Sequence, residues 1–218
     1  MKSIHVWSGL ILLGWLMGSQ ALASLWPGTV LVYSDGTAYR LQGEEGQGRI
    51  WQDQRLRTER RSTNPLLPPL ESKGLDGTVR YRHRLVEGTP GRLLRAASGT
   101  TGEFVMDRTD RRGNRERRNY QCTALGETRK AIAGRTERVR RFRCERYKVH
   151  HKLWTRKVLE TRLIEWSPRL GVTTRLERET RKSHRVRELI GILSPQAYRY
   201  QRVVGLLKSA TGQKRKAQ

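Results

Sequence analysis

Apolar and polar residues alternate along most of this 218-residue chain. In "TVRYRHRLV", Val79, Tyr81, His83 and Leu85 are interleaved with arginines. In "VRRFRCERY", Phe142 and Cys144 share one face, while Arg141 and Arg143 take the other. "TRLIEW" pairs Ile164 with Trp166, and "VTTRLERET" sets Val172, Thr174 and Leu176 against Arg175, Glu177 and Glu179. "HRVRELI" sets Val186 and Ile190 against Arg185 and Arg187. Side chains on a strand point alternately to its two faces, so a period of two marks strands with one buried and one solvated side. The pattern predicts a mainly β protein, an antiparallel meander forming a sandwich or half-barrel over residues 24–193. Phe142, Cys144, Ile164, Trp166, Val172, Leu176, Val186 and Ile190 are expected to point inward. Arg141, Arg143, Arg175, Arg185 and Arg187 are expected to point outward with Glu177 and Glu179.

Turn residues punctuate this pattern. Ser34-Asp35-Gly36 reads as a hairpin turn, Gly113-Asn114 as a charged turn, and Pro168 with Gly171 as another. "GEEGQGRIW" reads as a loop. Pro65, Pro68 and Pro69 exclude a helix or central strand, so residues 62–72 should be an extended crossing segment. Residues 194–210 predict a short C-terminal helix. Ser194 would be its N-cap and Pro195 its first residue, with Ala197, Tyr200, Val204 and Leu207 on one face. Tyr198 and Tyr200 would equally suit a strand. The basic stretch 211–218 is expected to be a disordered tail.

The N-terminus departs from the alternation. Lys2 precedes a mainly apolar run from Val6 to Met17, and Ala21-Leu22-Ala23 places small residues where a signal peptidase cuts. The run is shorter than the roughly 20 residues that span a bilayer. Residues 1–23 therefore read as a secretory signal peptide, and the protein as periplasmic or secreted.

Export changes the reading of the two cysteines. Outside the cytoplasm thiols tend to be oxidised, and neither CxxC nor a metal-finger spacing surrounds Cys122 and Cys144. A disulfide between them is expected on adjacent antiparallel strands.

Charge narrows the partners. The chain has 45 basic and 20 acidic residues, a net +25, and loss of Lys2 with the leader leaves +24. Ion pairing cannot neutralise such a surface. Its potential favours anionic partners, which outside the cytoplasm are lipopolysaccharide, anionic lipid, acidic glycan or acidic protein, with peripheral membrane contact. Arg141, Arg143, Arg175, Arg185 and Arg187 are the candidate anion-binding residues. Two alternatives belong to other classes. One is a nucleic-acid-binding protein whose Tyr81, Phe142 and Tyr147 would stack on bases; the other is a periplasmic lipid or lipoprotein carrier with an apolar cavity. No catalytic motif of the serine-elbow, zinc-helix or phosphate-loop kind appears. Adjacent His150 and His151 face opposite ways on a strand and make a poor chelate. An enzyme, a metal and a cofactor are not expected.

The ordered series Cys122, Gly126-Glu127, Ala133-Gly134, Phe142, Cys144, "WSPRLG" and "RELIGI" resembles a group of secreted bacterial β-rich domains of unknown function. The resemblance covers roughly residues 120–192. It implies an antiparallel sheet or half-barrel of the cell envelope, broadly similar to periplasmic lipoprotein-carrier folds, and it implies no catalytic residues.

Overall fold

Strand β1 (Val30–Tyr33) is four consecutive apolar residues, all buried, so both of its faces are covered. One face looks into a barrel. The other lies under helix α1 (Tyr200–Lys216). The computed structural model describes residues 25–150 and 155–216, with side chains for 25–148 and 155–210. The predicted leader, His151 and the last two residues lie outside the described residues, as does the His150 side chain.

Beyond β1, the chain forms β2 (Ala38–Glu45), β3 (Gly48–Asp53), β4 (Thr58–Ser62), β5 (Glu71–Lys73), β6 (Val79–Gly88) and β7 (Thr101–Asp110). There follow β8 (Arg115–Ile132), β9 (Arg135–His150), β10 (Thr155–Ser167), β11 (Val172–Thr180) and β12 (Ser183–Leu193). Each strand pairs antiparallel with the next, and β1 pairs with β12 through Val30↔Leu193 and Leu31↔Ile192. The meander is as predicted, but the sheet closes into a barrel, so the sandwich or half-barrel expectation is corrected. Local alternation is the same in all three architectures. Closure depends on the ends of the meander meeting, which leaves no free sheet edge.

Eight strands already leave an interior just wide enough for side chains to fill, so twelve need additional filling. The proline-rich segment 63–70 supplies some of it. Leu66, 1% exposed, packs with Phe104, Met106, Tyr120 and Phe142. A 3-10 helix over Pro90–Arg95 adds Leu93 to the same cluster. A second cluster, with Leu31, Tyr33, Tyr39, Leu41 and Trp51 from β1–β3, meets Val172 of β11 and Leu189 of β12.

Beyond Ser167 the β8–β9 hairpin outruns β10 and lies across β10–β12. Ala133 and Gly134, both with positive φ, form its two-residue tip. Ile132 and Val139 pack with Leu170, Val172 and Leu189, and Lys130 reaches Glu165 at 2.9 Å and Glu188 at 2.5 Å. Ser167 Oγ accepts from the Leu170 amide at 3.2 Å, and Arg169 pairs with buried Glu137 of the hairpin. Ser167, Arg169 and Leu170 of the "WSPRLG" stretch thus latch this hairpin.

Two local expectations differ from the structure. "GEEGQGRIW" is a hairpin rather than a loop, because Gly46 and Gln47 make the turn between β2 and β3. The helix starts at Tyr200, five residues after the expected Pro195, and continues through Lys216 into the predicted tail. Ser194 Oγ accepts from Ala197 N at 3.2 Å in a turn ahead of the helix. The buried helix face is Val203, Leu206 and Leu207, and Tyr200 is exposed. Gly191 of β12 allows this close approach, since a β-carbon there would lie 2.5 Å from a Leu206 methyl.

Candidate functional site

The predicted disulfide is present. Cys122 of β8 and Cys144 of β9 are direct register partners, bonded and buried in the barrel core. Register across β9–β12 then separates the five candidate arginines. Arg141 opposes Glu165, which opposes Arg175, which opposes Glu188. Arg143 opposes Leu163 on the same outer face. Arg143 pairs with Glu145 at 2.9 Å and Arg175 with Glu177 at 3.0 Å. The outer face expected to be basic therefore carries interleaved glutamates.

Arg185 and Arg187 face the other way. Arg187 opposes Leu176, and Arg185 opposes Arg178, in rows that continue to Ile164 and Arg162 and then to Phe142 and Cys144. Arg185 remains exposed on that face, whereas Arg187 lies within the lumen. The outward placement of both is corrected, together with the inward placement of Val186 and Ile190. Val186 opposes outward Glu177, and Ile190 packs with Val30, Val32 and the helix. The face assignment on β12 failed because polarity marks the outside only when the inside is apolar, and this lumen is lined with arginine.

Charge within the lumen is organised around Glu160 of β10, which is 2% exposed. Arg178 lies 2.7 Å from it, Arg146 3.6 Å, and Arg162 is also in contact. Burial works to raise its pKa, but the charge and hydrogen bond of Arg162, with those of Arg178, hold the carboxyl below its usual range. Glu116 bridges Arg118 at 2.6 Å and Arg146 at 3.6 Å. Next to them sits His83, whose Nδ1 is 2.7 Å from the Pro69 carbonyl oxygen. A carbonyl only accepts, so Nδ1 carries the proton and Nε2 faces Arg118 Nη1 at 3.5 Å. Burial pushes the His83 pKa down to about 4, and the nearby Arg118, Arg108 and Arg162 add to the effect. The ring is neutral at physiological pH.

A cavity of about 210 Å³ lies between the two core clusters. Tyr33, Tyr39 and Trp51 form one side, and Arg61, Arg162 and Arg187 project into it. Arg61 sits over the Tyr39 ring at 4.0 Å and pairs with Glu59 at 2.6 Å. Arg187 sits over Tyr33 at 4.9 Å and Tyr39 at 5.5 Å, and its Nη1 donates to Tyr39 Oη at 3.1 Å. Tyr33 Oη donates to the Thr173 carbonyl at 3.1 Å, and burial pushes this phenol's pKa up.

At one end of the barrel, the β5–β6 and β7–β8 turns form an open groove lined by Arg80, Arg108, Arg111 and Arg112. Arg108 stacks on Tyr81 at 5.3 Å. The groove's acids, Asp76 and Asp110, accept hydrogen bonds from their own turns: Asp76 from Thr78, and Asp110 from Arg112 and Asn114. Of the three aromatics considered for base stacking, Phe142 and Tyr147 are buried and Tyr81 is half-buried.

Sequence reasoning passed over the lumenal charges. A usable signal was Glu-x-Arg within a strand, since residues two apart share a face. Glu59 with Arg61, Glu116 with Arg118 and Glu160 with Arg162 are such pairs, and all are only partly exposed or buried. The cavity's Arg187 carries no such signal.

No protein family matches the chain, and no curated protein matches it. Among solved structures it is similar to the crystal structure of the hypothetical lipoprotein YmcC from Escherichia coli (K12), with 15% sequence identity and a TM-score of 0.47, covering 77% of this chain and 86% of that one.

Proposed function

We propose that this is a non-catalytic, exported envelope protein that binds anionic partners through its basic surface. The leader-like N-terminus and the buried disulfide support export to an oxidising compartment, periplasmic or extracellular. The observation that carries the binding proposal is where the excess charge sits. The outer face of β9–β12 is interleaved with glutamate, whereas Arg80, Arg111 and Arg112 stand exposed beside one groove with no ion pair among the described residues. A polyanion such as lipopolysaccharide, an anionic lipid surface, an acidic glycan or an acidic protein gains from such a groove by displacing counterions. A lipid carrier is less well supported, because the interior cavity is smaller than the roughly 300–1,000 Å³ typical of drug-sized ligand sites.

The test measures binding to lipopolysaccharide, anionic vesicles and duplex DNA at low and near-physiological salt. The chain should bind the envelope anions with steep salt dependence, and R80Q/R111Q/R112Q should weaken binding about tenfold or more. R141Q/R143Q/R175Q should change it less. Absent binding, or equal salt-independent binding by all three proteins, would sink the proposal. Retention of DNA alone at physiological salt would put the nucleic-acid reading in its place.

A further inference from the structure

We infer that the lumenal cavity is a binding site for a compact organic carboxylate, a single ring or short branched body carrying one negative charge. Size sets the first limit. A dry cavity of about 150 Å³ accepts benzene, so about 210 Å³ takes one ring with a small substituent and is too small to enclose an acyl chain or a sugar chain.

Charge sets the second. Arg61, Arg162 and Arg187 project into the space, and Glu59 is the one acid of its wall among the described residues. Arg61 is paired with Glu59, and Arg162 shares Glu160 with Arg146 and Arg178. Arg187 has no carboxylate within ion-pair distance among the described residues; its contacts are one phenol oxygen and two ring faces. A partly buried guanidinium held only by neutral groups is incompletely compensated for lost hydration. An incoming carboxylate would complete it with two parallel charge-assisted hydrogen bonds. Stacking on Tyr33 and Tyr39 fixes the plane of the fork in advance, which lowers the entropy lost on binding.

The remaining walls select the body of the ligand. Leu31, Trp51, Ile164 and Leu176 are apolar or aromatic and suit a ring or branched chain. Inorganic phosphate would meet the guanidiniums but leave that surface unused. A neutral ring of the same size would leave Arg187 as it is.

This site is separate from the outer groove and does not rest on the polyanion proposal. Calorimetric titration of the full mature chain should use three probes: benzoate, benzyl alcohol and inorganic phosphate. Benzoate should bind saturably, with the other two at least about tenfold weaker. Arg187→Met should reduce benzoate affinity about tenfold or more and leave benzyl alcohol unchanged, with near-UV circular dichroism reporting an intact fold. Leu176→Phe, which narrows the cavity and keeps every charge, should also lose benzoate. R80Q/R111Q/R112Q should retain it, so failure here and failure of the polyanion proposal are distinguishable. The inference is overturned by any one of four results: no saturable benzoate binding, benzyl alcohol or phosphate binding as tightly, equal benzoate affinity in wild type and Arg187→Met, or full affinity in Leu176→Phe.

Discussion

The inner and outer faces of β9–β12 use the same side chains in opposite ways. On the outer face, Arg143 with Glu145 and Arg175 with Glu177 are partly solvated pairs, and His184 shares Glu177 at 2.9 Å. On the inner face, Glu160 is almost wholly withdrawn from water and touches Arg146, Arg162 and Arg178. Water screens the outer pairs, so each contributes little. The inner cluster has given up hydration, and removing one partner strands the others. Arginine on the outside modulates the surface field, whereas arginine on the inside fills a barrel too wide for aliphatic side chains alone.

The largest expected effect follows from that contrast. Glu160→Gln keeps the shape, leaves Arg162 and Arg178 without their anion and Arg146 with Glu116 alone, and should cost about 3–5 kcal/mol in urea unfolding at neutral pH. Glu177→Gln, its outer counterpart, should cost within about 0.5 kcal/mol. Equal losses for the two variants would erase the distinction between the faces.

The disulfide tests the inner face at its apolar centre. Replacing Cys122 and Cys144 together by Ala should cost about 3 kcal/mol, from the loop the bond closes in the unfolded chain. A loss below about 1 kcal/mol would mean that residual structure in the unfolded chain already restricts it as much as the bond does.

His83 sharpens the comparison through pH. Its folded pKa, about 4, lies below the ordinary value of 6.5. The unfolded state therefore binds the proton first, and stability falls as pH drops from 6.5 towards 4. The loss should reach up to roughly 3 kcal/mol, and His83→Gln should flatten the profile across that window. Below about 4.5, lumenal carboxylates whose pKa values are lowered, Glu160 and Glu116, add their own acid sensitivity.

The smallest effects belong to the outer pairs. Arg143→Gln and Arg175→Gln should each shift unfolding by roughly 0.2–1 kcal/mol or less, and added salt should shrink the difference. Salt-insensitive losses larger than that would place these arginines with the buried set.

Period-two alternation was enough to mark β6 and β9–β12 as strands of an antiparallel meander, because pleat geometry writes burial directly into residue spacing, whereas β3 was read as loop. The cysteine pair was legible for a different reason: the leader-like N-terminus implies oxidising surroundings, and two cysteines without CxxC or metal spacing allow one intramolecular bond. Closure was not legible. It rests on β1 meeting β12 across almost the whole meander, and no local pattern distinguishes a closed sheet from an open one. Nor were the positions of Arg187 and Ile190. Ile190 points away from the lumen and stays dry because α1 covers it, and Arg187 points into the lumen because the tyrosines and a wide interior accept it. Sequence determined which residues share a face; only tertiary packing decided which face met water.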